Sequence, residues 1–169
     1  MAQFYKSLKE GQSCEDEFKN LVELHGGTVD KSSFKDNTRR HIDFYVSDFY
    51  GSNFSVDVKA QKRASRSDSN FDSKYTWIEL KNVRGDKGWL YGDADQIAFQ
   101  MSDCFVLVDR LDLVKFCEDN IDTSCVVDSA KSAIYKIYTR KGRKDCISRI
   151  ETSMIKTLAS CTKIEYIKG

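Results

Sequence analysis

The sequence predicts a mixed α/β domain, in which strands and helices share one chain of 169 residues. Short runs rich in Val, Ile, Phe and Tyr, such as His41–Ser47 and Phe54–Ala60, have the composition and length of β-strands. Other segments, such as Ser13–Leu24, place apolar residues at helical spacing. A mixture of both in a chain of this length predicts a single domain, residues 1–169, with a mixed central sheet flanked by helices.

The first predicted helix covers Ser13–Leu24, and Ser13 has a hydroxyl suited to an N-cap. Its predicted buried stripe consists of apolar residues at helical spacing, namely Phe18, Leu21, Val22 and Leu24. The pair Gly26-Gly27 predicts the end of the helix, because glycine adopts the left-handed conformation that commonly follows a helix.

The remaining elements follow from apolar runs bounded by polar residues or glycine. The predicted strands are His41–Ser47, Phe54–Ala60, Tyr75–Lys81, Asp103–Val108, Ile134–Thr139, Cys146–Ile150 and Lys163–Ile167. The further predicted helices are Asp93–Gln100, Leu111–Ile121 and Ser153–Ala159. Ala64–Ser73 is predicted to be a loop and Asp86–Gly92 an ordered turn. The basic segment Arg140–Lys144 is predicted to form the tip of a hairpin.

The composition is that of an ordinary globular protein, with 40% hydrophobic and 31% charged residues and a net charge of +1. No apolar run has the length of a membrane span, and the N-terminus lacks the apolar region of a signal peptide. We therefore expect an intracellular protein, in the cytoplasm or nucleus, without a membrane partner. The 6 cysteines include no Cys-x-x-Cys pair and there are only 2 histidines, so no structural zinc site is predicted.

Two acidic residues lie inside apolar strand-like runs. Asp43 interrupts His41–Val46, and Asp57 lies between two valines in Val56-Asp57-Val58-Lys59. Lys59 shares a strand face with Asp57, because side chains alternate along a strand. A buried carboxylate is costly unless a partner compensates its charge. Two such acids on adjacent strands predict a site for Mg²⁺ or Mn²⁺ with the lysine ammonium beside it.

This combination of groups suits phosphodiester hydrolysis. A bound divalent cation lowers the pKa of a coordinated water and offsets the charge on the phosphate. The Lys59 ammonium can hold the attacking water or stabilise the charge that develops in the transition state.

Asp43 followed by Asp57-Val58-Lys59 resembles the signature of the PD-(D/E)XK nuclease superfamily, with Asp57 at the D/E position. The predicted order is also similar: a helix bearing an acid, a strand, and then the two acid-bearing strands. The segment Gly11–Glu15 resembles that of the archaeal-type Holliday junction resolvases, in which a glycine precedes the helical glutamate. The resemblance covers roughly residues 1–60, and beyond Lys81 only the order of elements is similar. No proline precedes Asp43, but that position varies in the superfamily.

The resemblance implies a restriction endonuclease-like fold and a metal-dependent endonuclease acting on double-stranded or branched DNA, such as a junction resolvase or repair nuclease. The implied metal ligands are Glu15, Asp43 and Asp57, and Lys59 would be the further catalytic residue. A homodimer would match the two-fold symmetry of a junction.

The helical acid has alternatives. At 100° per residue, Glu15 and Glu17 flank the apolar stripe on either side, whereas Asp16 faces water. The resemblance selects Glu15. Otherwise all three acids simply favour the positive end of the helix dipole.

Two wider alternatives also stay open. Glu79-Leu80-Lys81 is a second acid-x-Lys sequence on a predicted strand. In this alternative, Asp57 would be the first acid of the motif, and Glu79 and Lys81 would form its second half. The chain could also be a non-catalytic nucleic-acid-binding module that keeps a nuclease fold without its chemistry, although the intact Asp57 and Lys59 argue against this.

Basic residues that flank the acid-bearing strands or lie at the hairpin tip are candidates for DNA binding. They are Arg39, Arg40, Lys62, Arg63, Arg140, Lys141, Arg143 and Lys144, with Arg66 close by in sequence. Contacts of this kind bind phosphates in a salt-dependent way and carry no sequence information. No helix has the pattern of a major-groove reader, so sequence-specific restriction is not predicted.

Overall fold

The structure is a computed structural model that describes residues 2–65 and 67–166. Arg66 and the predicted strand end at Ile167 lie outside these residues. Two sheets and three α-helices make the described chain a mixed α/β protein, as the sequence predicts. The chain divides into two compact units, each of which holds one sheet. That it forms a single domain stays a prediction.

The helices are α1 (Ala2–Leu24), α2 (Arg110–Asn120) and α3 (Thr152–Ile155). The strands are β1 (Thr28–Lys31), β2 (Phe44–Phe49), β3 (Ser52–Lys59), β4 (Tyr75–Lys81), β5 (Gln96–Gln100), β6 (Cys104–Asp109), β7 (Asp122–Val127), β8 (Lys136–Tyr138), β9 (Cys146–Glu151) and β10 (Thr162–Glu165). Asp36–Arg40 forms a π-helical turn, and Trp89–Tyr91 and Ala130–Ser132 form 3₁₀ turns.

The first unit comprises residues 2–60, 93–108 and 162–166. Its sheet has the strand order β1-β2-β3-β5-β6-β10. Strand β2 is antiparallel to both β1 and β3, and β10 is antiparallel to β6. Strand β5 is parallel to β3, so the sheet is mixed.

Helix α1 packs against this sheet through its apolar stripe. Phe18 is fully buried and meets Phe105 edge to face, with ring centroids 5.3 Å apart. Burying such a side chain stabilises the fold by about 1.5–3 kcal/mol. Val56 and Val58 of β3 lie in the same core, so Asp57 and Lys59 occupy the opposite face of the strand. The helix ends where Gly26 adopts a φ of +87°.

The second unit comprises residues 61–92 and 109–161, and its sheet has the order β4-β9-β8-β7. Asp109 caps α2 by accepting hydrogen bonds from the N–H groups of Leu111 and Asp112. Arg149 on β9 is only 3% exposed. Its guanidinium forms an ion pair with Asp72 and lies 5.0 Å from the centroid of the Tyr75 ring. Both contacts compensate the buried positive charge.

Several elements differ from their predictions. Helix α1 is continuous from Ala2, so Ser13 lies inside it and does not cap it, and Leu24 is 67% exposed rather than part of the stripe. Asp93–Gln100 is not a helix, because Gln96–Gln100 forms the buried strand β5. The last predicted helix, Ser153–Ala159, is reduced to the single turn of α3.

The β2 region also differs, in a way that bears on the site. The predicted strand His41–Ser47 starts only at Phe44, because the π-helical turn ends at His41 with a φ of 53°. Asp43 therefore lies just before β2 rather than within it. Its backbone still extends the pairing with β3, because its N–H donates to the Val56 carbonyl at 2.9 Å.

Gly88 is expected to be indispensable for the stability of the second unit. A Cβ atom at Gly88 would lie 2.2 Å from the carbonyl oxygen of Glu79 on β4, and backbone at that distance must move. We expect Gly88→Ala to lower the free energy of unfolding by about 3 kcal/mol. Urea denaturation measures this change.

Gly11→Ala is the matched control. Gly11 lies inside α1, and a Cβ atom there meets no other atom within 4 Å. Alanine favours a helix over glycine by about 1 kcal/mol, so this variant should be slightly more stable than the parent. An equal loss of stability in both variants would contradict the steric explanation for Gly88.

Candidate active site

The first unit brings the two strand acids together at one end of the β2–β3 pair. Phe44 pairs with Val56 across the two antiparallel strands, which places Asp43 and Asp57 on adjoining positions. The strands that were predicted to hold the two acids are neighbours, although Asp43 itself lies just before β2. Asp43 is 8% exposed and Asp57 is 2% exposed, so both carboxylates are largely withdrawn from water.

Both carboxylate oxygens of Asp43 accept hydrogen bonds. Oδ2 accepts from the backbone N–H of Val58 at 2.7 Å, and Oδ1 accepts from the Asn37 side-chain amide at 2.6 Å. Val58 lies between Asp57 and Lys59, so the Asp43 carboxylate is directed onto the segment of β3 that carries both groups. The π-helical turn Asp36–Arg40 positions Asn37 for this contact.

In the part of the chain that the structure describes, only one of the two carboxylate oxygens of Asp57 has a partner that compensates its charge. Its Oδ1 lies 2.6 Å from the Lys59 Nζ, whereas its buried Oδ2 has no hydrogen-bond partner among the described residues. Burial raises the pKa of Asp57 to about 8, against the opposing effect of Lys59 and with added repulsion from Asp43. The anionic form of this carboxylate is therefore destabilised unless a further cation or donor meets Oδ2.

Glu15 is the helical acid whose pKa is affected by the charge of Asp43. Burial raises the pKa of Glu15, and the charge of Asp43 raises it further, while Lys31 at 3.4 Å opposes both effects. Glu17 instead accepts a hydrogen bond from Gln100 at 2.6 Å, and Asp16 is exposed.

The donor atoms at this site fit a hard divalent cation, although they do not form a complete centre. Carboxylate oxygens are the ligands that Mg²⁺ and Mn²⁺ prefer, and Asp57 Oδ2 is buried without a partner. Over residues 2–65 and 67–166, no three acidic, histidine or cysteine side chains already form a group that could hold a metal ion. The bonds from Asn37 and Val58 to Asp43 and the ion pair of Lys59 occupy three of the four oxygens of the two aspartates.

The predicted DNA-binding residues fall into both units. Arg39 and Arg40 belong to the first, where Arg39 is exposed. Arg40 forms ion pairs with Asp36 at 3.2 Å and Asp93 at 2.9 Å, which gives it a structural role at the π-helical turn. The other six belong to the second unit, and five of them line one cavity there: Lys62, Arg63, Arg140, Lys141 and Arg143.

The alternative motif lies on β4 of the second unit. Glu79 is half-buried and lines the same cavity, whereas Lys81 is exposed. By contrast, Asp57 and Lys59 on β3 are in direct contact, and the aspartate is almost completely buried. Burial and contact therefore favour the β3 pair as the site of unusual chemistry.

Two residues that shape the site were not identified from the sequence. Asn37 orients Asp43, and Lys31 on β1 pairs with Glu15. Both lie in a polar stretch of the chain, where one more polar side chain carries no distinguishing pattern. Only the fold of the π-helical turn and of the short strand β1 makes them part of the site.

Comparison with known proteins identifies no relative: no protein family, no curated protein and no solved structure matches this chain. Among the helices that the structure describes, none has both the length and the apolar character needed to cross a membrane.

Proposed function

We propose that this protein is a metal-dependent endonuclease that hydrolyses DNA phosphodiester bonds. The observation that carries the proposal is the buried Asp57 carboxylate, which contacts Lys59 through one oxygen and has no partner for the other among the described residues. Such an arrangement destabilises the metal-free protein and is explained by a cation that binds there.

The order of elements supports membership of the PD-(D/E)XK superfamily and a restriction endonuclease-like fold. Helix α1 carries Glu15, β1 follows it, Asp43 lies just before β2, and β3 carries Asp57 and Lys59. Strand β5 then continues the sheet parallel to β3.

In the proposed reaction, Asp43, Asp57 and Glu15 would hold Mg²⁺ or Mn²⁺. When bound, the metal would lower the pKa of a water and offset charge on the phosphate. Lys59 hydrogen-bonds the attacking water or a non-bridging phosphate oxygen, and so stabilises the charge that develops as the new P–O bond forms and the old one breaks. Asn37 and the Val58 N–H keep the Asp43 carboxylate oriented.

Within the nuclease class, we favour a structure-selective enzyme that acts on branched or junction DNA as a homodimer. Sequence readout in the major groove needs an exposed helix with suitable charge. Helix α2 carries exposed acids, including Asp112 and Asp119, and α3 is only one turn long. Neither suits a groove-reading role.

A second candidate function is a non-catalytic nucleic-acid-binding module. The observation that favours it is the engagement of both Asp43 oxygens by Asn37 and Val58, which leaves each oxygen only one lone pair for a metal.

A nicking assay distinguishes the two functions. We expect the parent protein to convert supercoiled plasmid to nicked and linear forms with Mn²⁺ and not with EDTA. Asp57→Asn should be inactive at the same protein concentration. Branched and linear duplexes and an RNA duplex then establish the substrate. If the parent cuts none of these but binds them, the non-catalytic function is correct.

The basic turn of the second unit is expected to contribute to DNA affinity. Replacing Lys141, Arg143 and Lys144 with glutamate should weaken duplex binding and flatten its salt dependence, by about one unit of slope per lost phosphate contact. Fluorescence anisotropy over a range of salt concentrations measures both quantities. Lys156→Glu, a single exposed reversal elsewhere in this unit, should change neither one much. An unchanged slope in the triple variant would assign the phosphate contacts to other basic residues, such as Arg39.

A further inference from the structure

The second unit contains a cavity of about 880 Å³ whose aromatic lining has no role in the proposed hydrolysis. Three adjacent strands contribute to it, because Glu79 of β4 pairs with Ile147 of β9, which in turn pairs with Tyr138 of β8. Trp77 lies on the same face of β4 as Glu79. The volume lies within the range of roughly 300–1,000 Å³ that is typical of small-ligand sites.

Aromatic rings form part of the cavity lining. Both tryptophans of the chain, Trp77 and Trp89, line it together with Tyr138. Trp89 is buried, whereas Trp77 and Tyr138 are half-buried. The Arg149 guanidinium lies over the Trp77 ring, 5.8 Å from its centroid, in a cation–π contact that favours this position of the ring. Half-buried, restrained rings of this kind are platforms on which a planar base stacks.

The cavity lining is strongly positive. Six basic side chains, Lys62, Arg63, Lys131, Arg140, Lys141 and Arg143, face two acidic ones, Glu79 and Asp128. Arg140 is oriented by an ion pair with the buried Asp145. Lys141 and Arg143 are exposed and, within the part of the chain that is described, form no ion pair. Unpaired cations next to aromatic rings suit a ligand that carries both a phosphate and a base.

We propose that this cavity binds a nucleotide. The base stacks against Trp77 and Tyr138, and Lys141 and Arg143 bind the phosphate. The Glu79 carboxylate accepts hydrogen bonds from the N–H groups of the base. The ligand is either a free nucleotide or an unpaired nucleotide within a single strand, because the two present the same chemistry. The proposal does not depend on the nuclease site, since all of these residues belong to the second unit.

Tryptophan fluorescence tests the proposal directly, because the two tryptophans of the chain both line the cavity. The parent and the Asp57→Asn variant are titrated in EDTA with AMP, GMP, CMP and UMP, and separately with a short oligothymidylate. We expect saturable quenching that is the same in both proteins. EDTA and the Asp57→Asn change prevent hydrolysis, so a failure to cut DNA does not affect this result.

Matched variants locate the binding. Tyr138→Leu removes a stacking surface and should weaken binding by about tenfold or more, whereas Tyr138→Phe keeps the ring and should bind like the parent. The double reversal of Lys141 and Arg143 to glutamate should weaken binding of the phosphate by a similar factor. Lys156→Glu should have no effect. Circular dichroism melts verify that each variant is folded.

Each result of these titrations either supports or overturns the proposed nucleotide site. Quenching by mononucleotides supports the proposal with a free nucleotide as ligand, and quenching by the oligonucleotide alone supports it with an unpaired nucleotide in a strand. Competition by pyrophosphate as effective as that by nucleotides would overturn it in favour of a simple anion site. Absence of saturable quenching, or equal affinity in Tyr138→Leu and the parent, would also overturn it.

Discussion

Replacing Lys59 with alanine is expected to reduce the rate of DNA cleavage by roughly 10²–10³-fold while DNA affinity stays nearly unchanged. The Lys59 ammonium lies 2.6 Å from Asp57 Oδ1 and is 24% exposed at the side chain, so it can reach both the acid and a substrate. Charge on the phosphate grows only in the transition state, and a group that responds to this charge affects turnover more than binding. Single-turnover rates with excess protein measure the effect.

Lys81→Ala is the control for this experiment, because Lys81 belongs to the alternative motif on β4 and is exposed. It should cut DNA at nearly the parent rate. A thermal melt of each variant separates loss of rate from loss of fold, because Lys59→Ala leaves the buried Asp57 without its ion-pair partner. If Lys81→Ala is inactive and Lys59→Ala retains the parent rate, Glu79 and Lys81 form the working motif.

Asp57→Asn is expected to abolish cleavage and, at the same time, to make the metal-free protein more stable at neutral pH. In the folded protein, burial raises the pKa of Asp57 to about 8 from its ordinary value of 3.8. Between these values the folded state holds a proton that the unfolded state has released, so stability falls as pH rises through this interval. Asparagine does not titrate, so the variant should not lose stability in this way as the pH rises.

Melting curves in EDTA between about pH 5 and about pH 8 measure this difference. The melting temperature of the parent should fall by about 10 °C more than that of the variant over this range, because one pH unit corresponds to about 1.4 kcal/mol and each kcal/mol to roughly 2–4 °C for a chain of this size. Mg²⁺ or Mn²⁺ should then raise the melting temperature of the parent and not of Asp57→Asn, because a ligand that binds only the folded state stabilises it. Asp16→Asn, which changes an exposed helical acid, should behave like the parent in both tests. An equal shift by metal in the parent and Asp57→Asn would mean that the ions bind elsewhere.

The elements that the sequence predicts well are those with a local burial pattern. Strand β4 has the predicted bounds, Tyr75–Lys81, and α2 starts and ends within one residue of the predicted Leu111–Ile121. The segment that forms β5 was predicted as a helix, because a short apolar run is compatible with either a helix or a strand. Its hydrogen-bonded pairing with β3, which the sequence does not reveal, makes it a strand. Strand β7 was missed because its side chains are mostly exposed and its sequence, Asp-Thr-Ser-Cys-Val-Val, does not alternate between polar and apolar residues.

Some residues of the candidate site could likewise be predicted from the sequence, and others could not. Asp43 and Asp57 could be identified because a charge inside an apolar run is conspicuous. Glu15 could not be separated from Glu17 by helical geometry alone, and the structure distinguishes them through their different partners, Lys31 and Gln100. Asn37 depends on a π-helical turn for which the sequence has no recognisable pattern.

The strand order of the first unit has a consequence for the nascent chain during translation. The β2–β3 hairpin with both acids is complete once residue 60 has left the ribosome. Strand β10, which pairs with β6 from Thr162 opposite Leu107, is synthesised only after the whole of residues 109–161. Until then the apolar β6 segment Cys104–Val108 has no partner on that edge, and an unpaired apolar strand is a template for aggregation. Slowing translation between β6 and β10 should therefore lower the yield of folded protein more than slowing it anywhere before β6.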